Sequence, residues 1–159
     1  MISLIQRVQK ASVVVDGDVV GAIDRGLLVF VGVERGDTTA DADATARKIA
    51  ALRVFPGRTP TDLAVGEVGG GCLVVSQFTL AAELRHGNRP DFTAAAVPAD
   101  AEALYRRVAD LLAGTGLRVA TGQFGASMQV NLENDGPFTL ILTVRSGKVV
   151  ERPALPAPA

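Results

Sequence analysis

The sequence contains no Trp and only one Tyr, one Cys and one His among its 159 residues. Aromatics make up 4% of the chain and hydrophobic residues 48%, so a core has to be assembled from Val, Leu, Ile and Ala. A single cysteine excludes an intramolecular disulfide. Cys72 sits in the apolar run CLVVSQF, where a thiol is expected to be buried and inert. One Cys and one His also exclude the familiar zinc-type clusters, leaving only carboxylates to hold a hard cation. Neither sign of charge dominates. A net charge of −1 excludes a broad positive field for a long stretch of nucleic acid, so any RNA contact must be small and local. Long hydrophobic runs are missing too: Gln6, Arg7, Gln9 and Lys10 interrupt MISLIQRVQKASVVV. Secretory and membrane-spanning readings therefore fail, and the cytosol is the expected compartment. No GxGxxG, GxxxxGK[ST], HExxH or GxSxG occurs, and the lone His86 in LRHGNRP would have to serve any Ser-His-Asp set.

What is present fits one globular domain over residues 1–150, followed by a Pro/Ala-rich tail at 151–159 that is expected to be disordered. Residues 2–8 and 11–15 show the partial alternation of half-buried strands. Asp16-Gly17 between Val13–Val15 and Val19-Val20 marks a two-residue hairpin. Residues 27–33 are continuously apolar and predict a strand covered on both faces. Ala42, Ala46, Ile49 and Ala50 share a helical face over 38–53, with Asp37 or Thr38 as cap and Pro56 beyond the end. Residues 56–71 read as a loop with room for a short strand, and 72–78 as a second buried strand. A second helix is predicted over 99–113, with Leu104, Val108, Leu111 and Leu112 inward and Gly114 ending it. Three strands follow at 117–124, 127–132 and 138–145. The fold class is α/β (α+β layered): a mixed sheet or barrel-like set of strands with two helices, in a single domain.

Two segments carry candidate chemistry. Ser76-Gln77-Phe78-Thr79-Leu80 places polar groups directly after Leu73-Val74-Val75, where burial is costly unless they are bonded or used. Asn134-Asp135-Gly136-Pro137-Phe138-Thr139 reads as a turn entering a strand. Separately, each is ordinary: the first could be a strand leaving the core, the second a common turn. Together, SQFTL and NDGPFT resemble the paired signature of the D-aminoacyl-tRNA deacylase family. RVQKASV, GLLVFVGV, the Arg89-Pro90-Asp91-Phe92 element, AEALY at 101–105 and TGQFGASMQV at 121–130 agree in order, so the resemblance spans about residues 1–145. The stretch TPTDLAV at 59–65 departs from the family's usual Lys-Met-Asn-like loop, and the tail has no counterpart.

The resemblance implies a hydrolase that splits the ester of D-aminoacyl-tRNA, and of glycyl-tRNA, as chiral proofreading in translation. It implies no cofactor and no metal. The implied partners are the 3′ end of aminoacyl-tRNA and a second copy of the chain, in a homodimer with active sites at the subunit interface. Gly136-Pro137 of one subunit would enter the pocket of the other in the cis form and accept from the substrate's α-ammonium through its carbonyls. Gly136, lacking Cβ, would let the backbone come close, and an L side chain would be rejected by clash. The implied catalytic strand end is Ser76, Gln77, Phe78 and Thr79. Arg7 would hold the Gly-Pro element, while Phe124, Gly125 and Met128 would shape the pocket for the terminal adenine. For the chemical step, Thr79 is the available hydroxyl but needs an activating base. The favoured alternative is water attack assisted by the adjacent ribose hydroxyl of the RNA, with N–H groups around Gln77–Thr79 stabilising the oxyanion.

Three rival readings are a non-catalytic RNA- or synthetase-associated module of the same fold, a relative clearing mischarged L-alanine, and a generic esterase. A pure binder needs neither signature. The alanine-clearing subgroup is expected to lack Ser76 and Phe78, and an esterase would need a visible nucleophile–base pair.

Overall fold

The computed structural model describes residues 1–85 and 87–150. His86 and the tail at 151–159 lie outside the described residues, together with the expectations made for them. Strand β1 (Ile2–Val15) is the spine of a seven-stranded mixed sheet. It hairpins through Asp16 (φ 50°) and Gly17 (φ 92°), the positive-φ pair expected of a tight turn, into β2 (Asp18–Ile23). Strand β3 (Gly26–Gly32) then pairs with the N-terminal half of β1. Helix α1 (Thr39–Ala51) crosses over to β4 (Gly71–Ser76), parallel to β3. After helix α2 (Pro98–Gly114), strand β5 (Arg118–Thr121) runs parallel to β4. Strands β6 (Gln129–Arg145) and β7 (Lys148–Val149) complete the order β5-β4-β3-β1-β6-β7, with β2 alongside β1.

The sheet curls into a half-barrel because β1 is long enough to pair with β3 at one end and β2 at the other. That brings β2 back onto β5. At the meeting point a Cβ on Gly21 would lie 2.2 Å from the Thr121 carbonyl oxygen, so only glycine allows the closure. Two apolar clusters result. Ile5, Leu27, Val29, Val31, Ile49 and Val74 pack with α2 under the helices. Val8, Val13, Ile23, Leu28, Leu73 and Val75 fill the inside of the curl. Strands β3 and β4 are thus buried on both faces, as their continuous apolar runs predict. Each such side chain contributes about 1.5–3 kcal/mol when fully removed from water.

Both helices form close to their predicted bounds. Thr38 is the N-cap residue of α1, and the Asp41 carboxylate accepts from its N–H at 2.8 Å and its hydroxyl at 2.9 Å. Pro98 opens α2, where its missing N–H costs nothing. Leu104, Val108 and Leu112 are buried as expected, while Leu111 and, on α1, Ala50 are only partly buried.

The strand bounds differ in four places. The segments 2–8 and 11–15 form one strand, because β6 pairs with β1 along nearly its whole length. For the same reason 127–132 and 138–145 merge into β6, and the turn between them becomes a bulge within a strand. Strand β4 ends at Ser76 instead of residue 78: the Gln77 N–H makes the last ladder bond, to the Val31 carbonyl at 2.8 Å, and β3 offers no further partner. Strand β5 ends at Thr121, where the Gly122 N–H closes on the Val74 carbonyl at 3.0 Å.

Candidate active site

Beyond their last hydrogen bonds, β4 and β5 part company. Between them and the start of α2 lies a cavity of about 500 Å³, within the usual range for a small-ligand site. Val75, Ser76, Gln77 and Phe78 form one wall, Phe124, Gly125, Ala126 and Met128 the facing one. Ala95, Ala96, Pro98 and Ala101 supply a third wall of small side chains. The lining is mostly apolar, with the polar groups concentrated at the end of β4.

That end is a single 3₁₀ turn, Phe78–Ala81, closed by the Leu80 N–H on the Gln77 carbonyl at 3.2 Å. The N–H groups of Phe78 and Thr79 come first in the turn and have no acceptor within it, as at any helix start. The Gln77 N–H is committed to the Val31 carbonyl. Gln77 Nε2 donates to Thr79 Oγ1 at 2.5 Å, so the two side chains hold one another at the surface. Phe78 is 54% exposed and stands edge-on to Phe92, with ring centroids 5.1 Å apart. Thr79 is exposed and is not one of the cavity's wall residues.

The second signature is built differently. In the β1–β6 ladder Gln6 pairs with Thr139 and Val8 with Asn134, so only Arg7 stands opposite Asp135, Gly136, Pro137 and Phe138. These residues bulge out, with Gly136 and Pro137 exposed and joined by a cis peptide bond. Arg7 braces the bulge from beneath. Its Nε donates to the Asp135 carbonyl at 3.0 Å and lies 3.3 Å from the Asp135 carboxylate. Its Nη1 donates to the Val54 carbonyl at 2.5 Å, and its guanidinium stacks over Phe138, 4.8 Å from the ring centroid. Asn134 closes the bulge's mouth: Oδ1 accepts from the Phe138 N–H at 2.6 Å, while Nδ2 donates to Thr139 Oγ1 at 3.1 Å.

The cavity therefore gathers Ser76, Gln77, Phe78, Phe124, Gly125 and Met128, while Arg7, Gly136 and Pro137 come together in the bulge. Within one chain the bulge does not line the cavity. A Cβ on Gly136 (φ 145°) would meet Phe138 N at 2.9 Å and Arg7 Nη2 at 3.3 Å in its own chain. The glycine is needed for the shape of the bulge itself. Sequence reasoning also missed the wall of Ala95, Ala96, Pro98 and Ala101, whose only signal is a run of small residues after Phe92. The Cys72 thiol is buried and pushed by that burial up to about 12, which keeps it out of nucleophilic chemistry. Among the described residues no group of three or more His, Cys, Asp or Glu is placed to hold a metal ion. No described helix is long and apolar enough to cross a membrane.

The family model described as D-Tyr-tRNA(Tyr) deacylase matches residues 4–143. A D-aminoacyl-tRNA deacylase of Anaeromyxobacter dehalogenans is 54% identical over 146 residues, covering 91% of this chain and 98% of that protein. One from Geobacter metallireducens is 52% identical over 143 residues, covering 89% and 95%. Among solved structures, a c-Myc DNA unwinding element binding protein superposes with a TM-score of 0.86 at 38% identity, over 92% of this chain and 100% of that one. A probable eukaryotic D-amino acid tRNA deacylase shares the fold, with a TM-score of 0.74 at 18% identity over 88% and 97%.

Proposed function

We propose that this chain, which belongs to the D-Tyr-tRNA(Tyr) deacylase family, hydrolyses D-aminoacyl-tRNA with the cavity at the end of β4 as its active site. Relatives with half their residues in common over nearly their full length carry that activity in their names. The observation that carries the placement is the separation of the two signatures. An apolar cavity with a polar strand end sits in one part of the chain. In another, an exposed and heavily braced Gly136-Pro137 bulge stands apart from that cavity. Each completes what the other lacks if two copies pair, with the bulge of one subunit entering the cavity of the other.

In that homodimer the terminal adenosine enters against Phe124 and Met128, where the aromatic face offers a stacking surface. The ester carbonyl comes to the Phe78 and Thr79 N–H groups, which have no acceptor within the turn and stabilise the developing oxyanion. The partner's Gly136 and Pro137 carbonyls accept from the α-ammonium. With amine and ester both fixed, a D side chain points to the open side and an L side chain runs into the bulge. Glycyl-tRNA has nothing to reject and is a substrate as well. Water adds to the ester carbon while the vicinal ribose hydroxyl takes one of its protons and passes its own to the neighbouring ester oxygen of the ribose. The bond from the ester carbon to that oxygen then breaks, the relayed proton leaves it as a hydroxyl, and the free amino acid departs as its acid. Among the described residues the walls hold no carboxylate to act as base, which favours this RNA-assisted route over a Thr79 nucleophile.

The test compares hydrolysis of D-tyrosyl-, L-tyrosyl- and glycyl-tRNA by the purified protein. The D form should react at least about a hundredfold faster than the L form, a gap of about 2.7 kcal/mol. Equal rates on the two tyrosyl substrates would end the chiral reading.

A further inference from the structure

The AEALY stretch ends on the only tyrosine of the chain, and the site described so far does not use it. Tyr105 lies one turn along α2 from Ala101, a residue of the cavity wall, and is 3% exposed. Its hydroxyl donates to the Val74 carbonyl at 2.9 Å. The same carbonyl takes the Gly122 N–H at 3.0 Å. Ser76 follows shortly after Val74 and Phe124 shortly after Gly122. From this one oxygen, therefore, β4 and β5 diverge into the two facing walls. The Tyr105 ring also meets the Phe124 ring, with centroids 6.0 Å apart and planes inclined at 36°.

Space-filling alone does not account for this side chain. Its neighbours on the same buried face, Val108 and Leu112, are aliphatic, and a buried hydroxyl costs free energy unless it is bonded. Burial raises the phenol's pKa, although Thr121 and the Gly122 N–H pull it back, so the group stays a protonated donor at physiological pH. We propose that Tyr105 is a positioning residue for the deacylation. By tying α2, the end of β4 and the start of the 122–128 loop to one point, it sets the gap between the Ser76–Phe78 wall and Phe124. That gap decides whether the ester carbonyl reaches the N–H groups of Phe78 and Thr79. The proposal rests on the cavity being the active site.

Tyr105→Phe keeps the ring and deletes the pin. Steady-state and single-turnover hydrolysis of D-tyrosyl-tRNA would be measured for this variant beside Phe124→Ala and Ile49→Val. Ile49 is a fully buried side chain of α1 outside the cavity, and its variant serves as a control for general destabilisation. For Tyr105→Phe, kcat should fall about tenfold or more while KM stays within about threefold, because the nucleoside still enters but the carbonyl is misplaced. Ile49→Val should lower the melting temperature to a similar extent and leave kcat within about twofold. Phe124→Ala should raise KM about tenfold by removing the stacking face. If Phe124→Ala is impaired and Tyr105→Phe stays within twofold of the parent, the positioning role is overturned and the site stands. If Phe124→Ala is unaffected, the cavity is not the site and both readings fail. A matching loss of kcat in Ile49→Val would make the Tyr105 effect one of stability and overturn the proposal.

Discussion

The bulge at 135–138 and the turn at 78–81 are both short polar irregularities at a strand, yet they are held in opposite ways. The bulge is secured by side chains reaching in from elsewhere. Arg7 binds the Asp135 and Val54 carbonyls, and Asn134 binds Phe138 and Thr139. The turn is secured by backbone, through the Gln77 N–H on Val31 and the Leu80 N–H on Gln77, with one surface side-chain bond between Gln77 and Thr79. A segment fixed by side chains is sensitive to point substitution. A segment fixed by main-chain bonds tolerates it, because the groups that do the fixing are present in every residue except proline. For the proposed function this makes an asymmetry: the segment proposed to reject a substrate is held by side chains, while the turn proposed to bind the oxyanion offers main-chain donors that only proline removes.

Arg7→Ala should break that comparison most severely. It strands the Asp135 and Val54 carbonyls, leaves the Asp135 carboxylate without its cation and uncovers Phe138. Losing a charge-assisted network of this kind costs about 2–3 kcal/mol, so kcat/KM on D-tyrosyl-tRNA should drop roughly a hundredfold. Arg7→Lys should rescue little, since an ammonium cannot serve both carbonyls and lie flat on the ring. Retention of activity within threefold would show that the bulge needs no brace.

Gly136→Ala comes next. Its Cβ would sit 2.9 Å from Phe138 N in a backbone region that L side chains rarely adopt, so the bulge has to shift. D-tyrosyl-tRNA hydrolysis should fall by at least about thirtyfold, corresponding to 2 kcal/mol of lost positioning. The D over L preference should narrow at the same time, since the displaced segment is the one proposed to do the rejecting. Loss of rate with the preference intact would separate the bulge from stereochemical selection.

Asn134→Ala sharpens the comparison with a smaller effect. It removes the acceptor for the Phe138 N–H and the donor to Thr139, at a cost of about 1 kcal/mol, or severalfold in rate. Asn134→Asp retains the acceptor and should recover most of that loss. Equal defects in the two variants would show that the Nδ2 donor, and not the mouth of the bulge, is what matters.

Legibility in the sequence follows the same division. Elements held by pattern were readable: 27–33 and 72–78 as buried strands, Asp16-Gly17 as a hairpin, and both helices from their apolar spacing. What was lost depends on partners distant in sequence. Nothing near residue 134 says that β1 runs unbroken past it, so a bulge inside a strand read as a turn between two. Strand β4 read two residues too long because its end is set by where β3 stops. Within the candidate site, SQFTL and NDGPFT drew attention to residues that the fold gathers at the cavity and in the bulge. Arg7's place opposite the bulge is a matter of register, however, and the alanine wall before α2 has no distinctive chemistry to notice.

Thr79→Ala carries the smallest expected effect and tests the other side of the comparison. The hydroxyl is exposed, lies outside the cavity walls and has Gln77 Nε2 as its neighbour, a donor that cannot take its proton. A threonine nucleophile needs a base within reach to activate it, and none of the described wall residues is one. The Thr79 N–H, by contrast, survives the substitution. If the turn works through its backbone and the vicinal ribose hydroxyl assists the water, single-turnover hydrolysis by Thr79→Ala should stay within about tenfold of the parent, with loss of the Gln77 contact accounting for the decrease. A substrate ending in 2′-deoxyadenosine should then react far more slowly with parent and variant alike, because the assisting group is on the RNA. The opposite pattern, a thousandfold loss in Thr79→Ala and little sensitivity to the missing ribose hydroxyl, would make Thr79 the nucleophile and move the chemistry from backbone and RNA to a side chain.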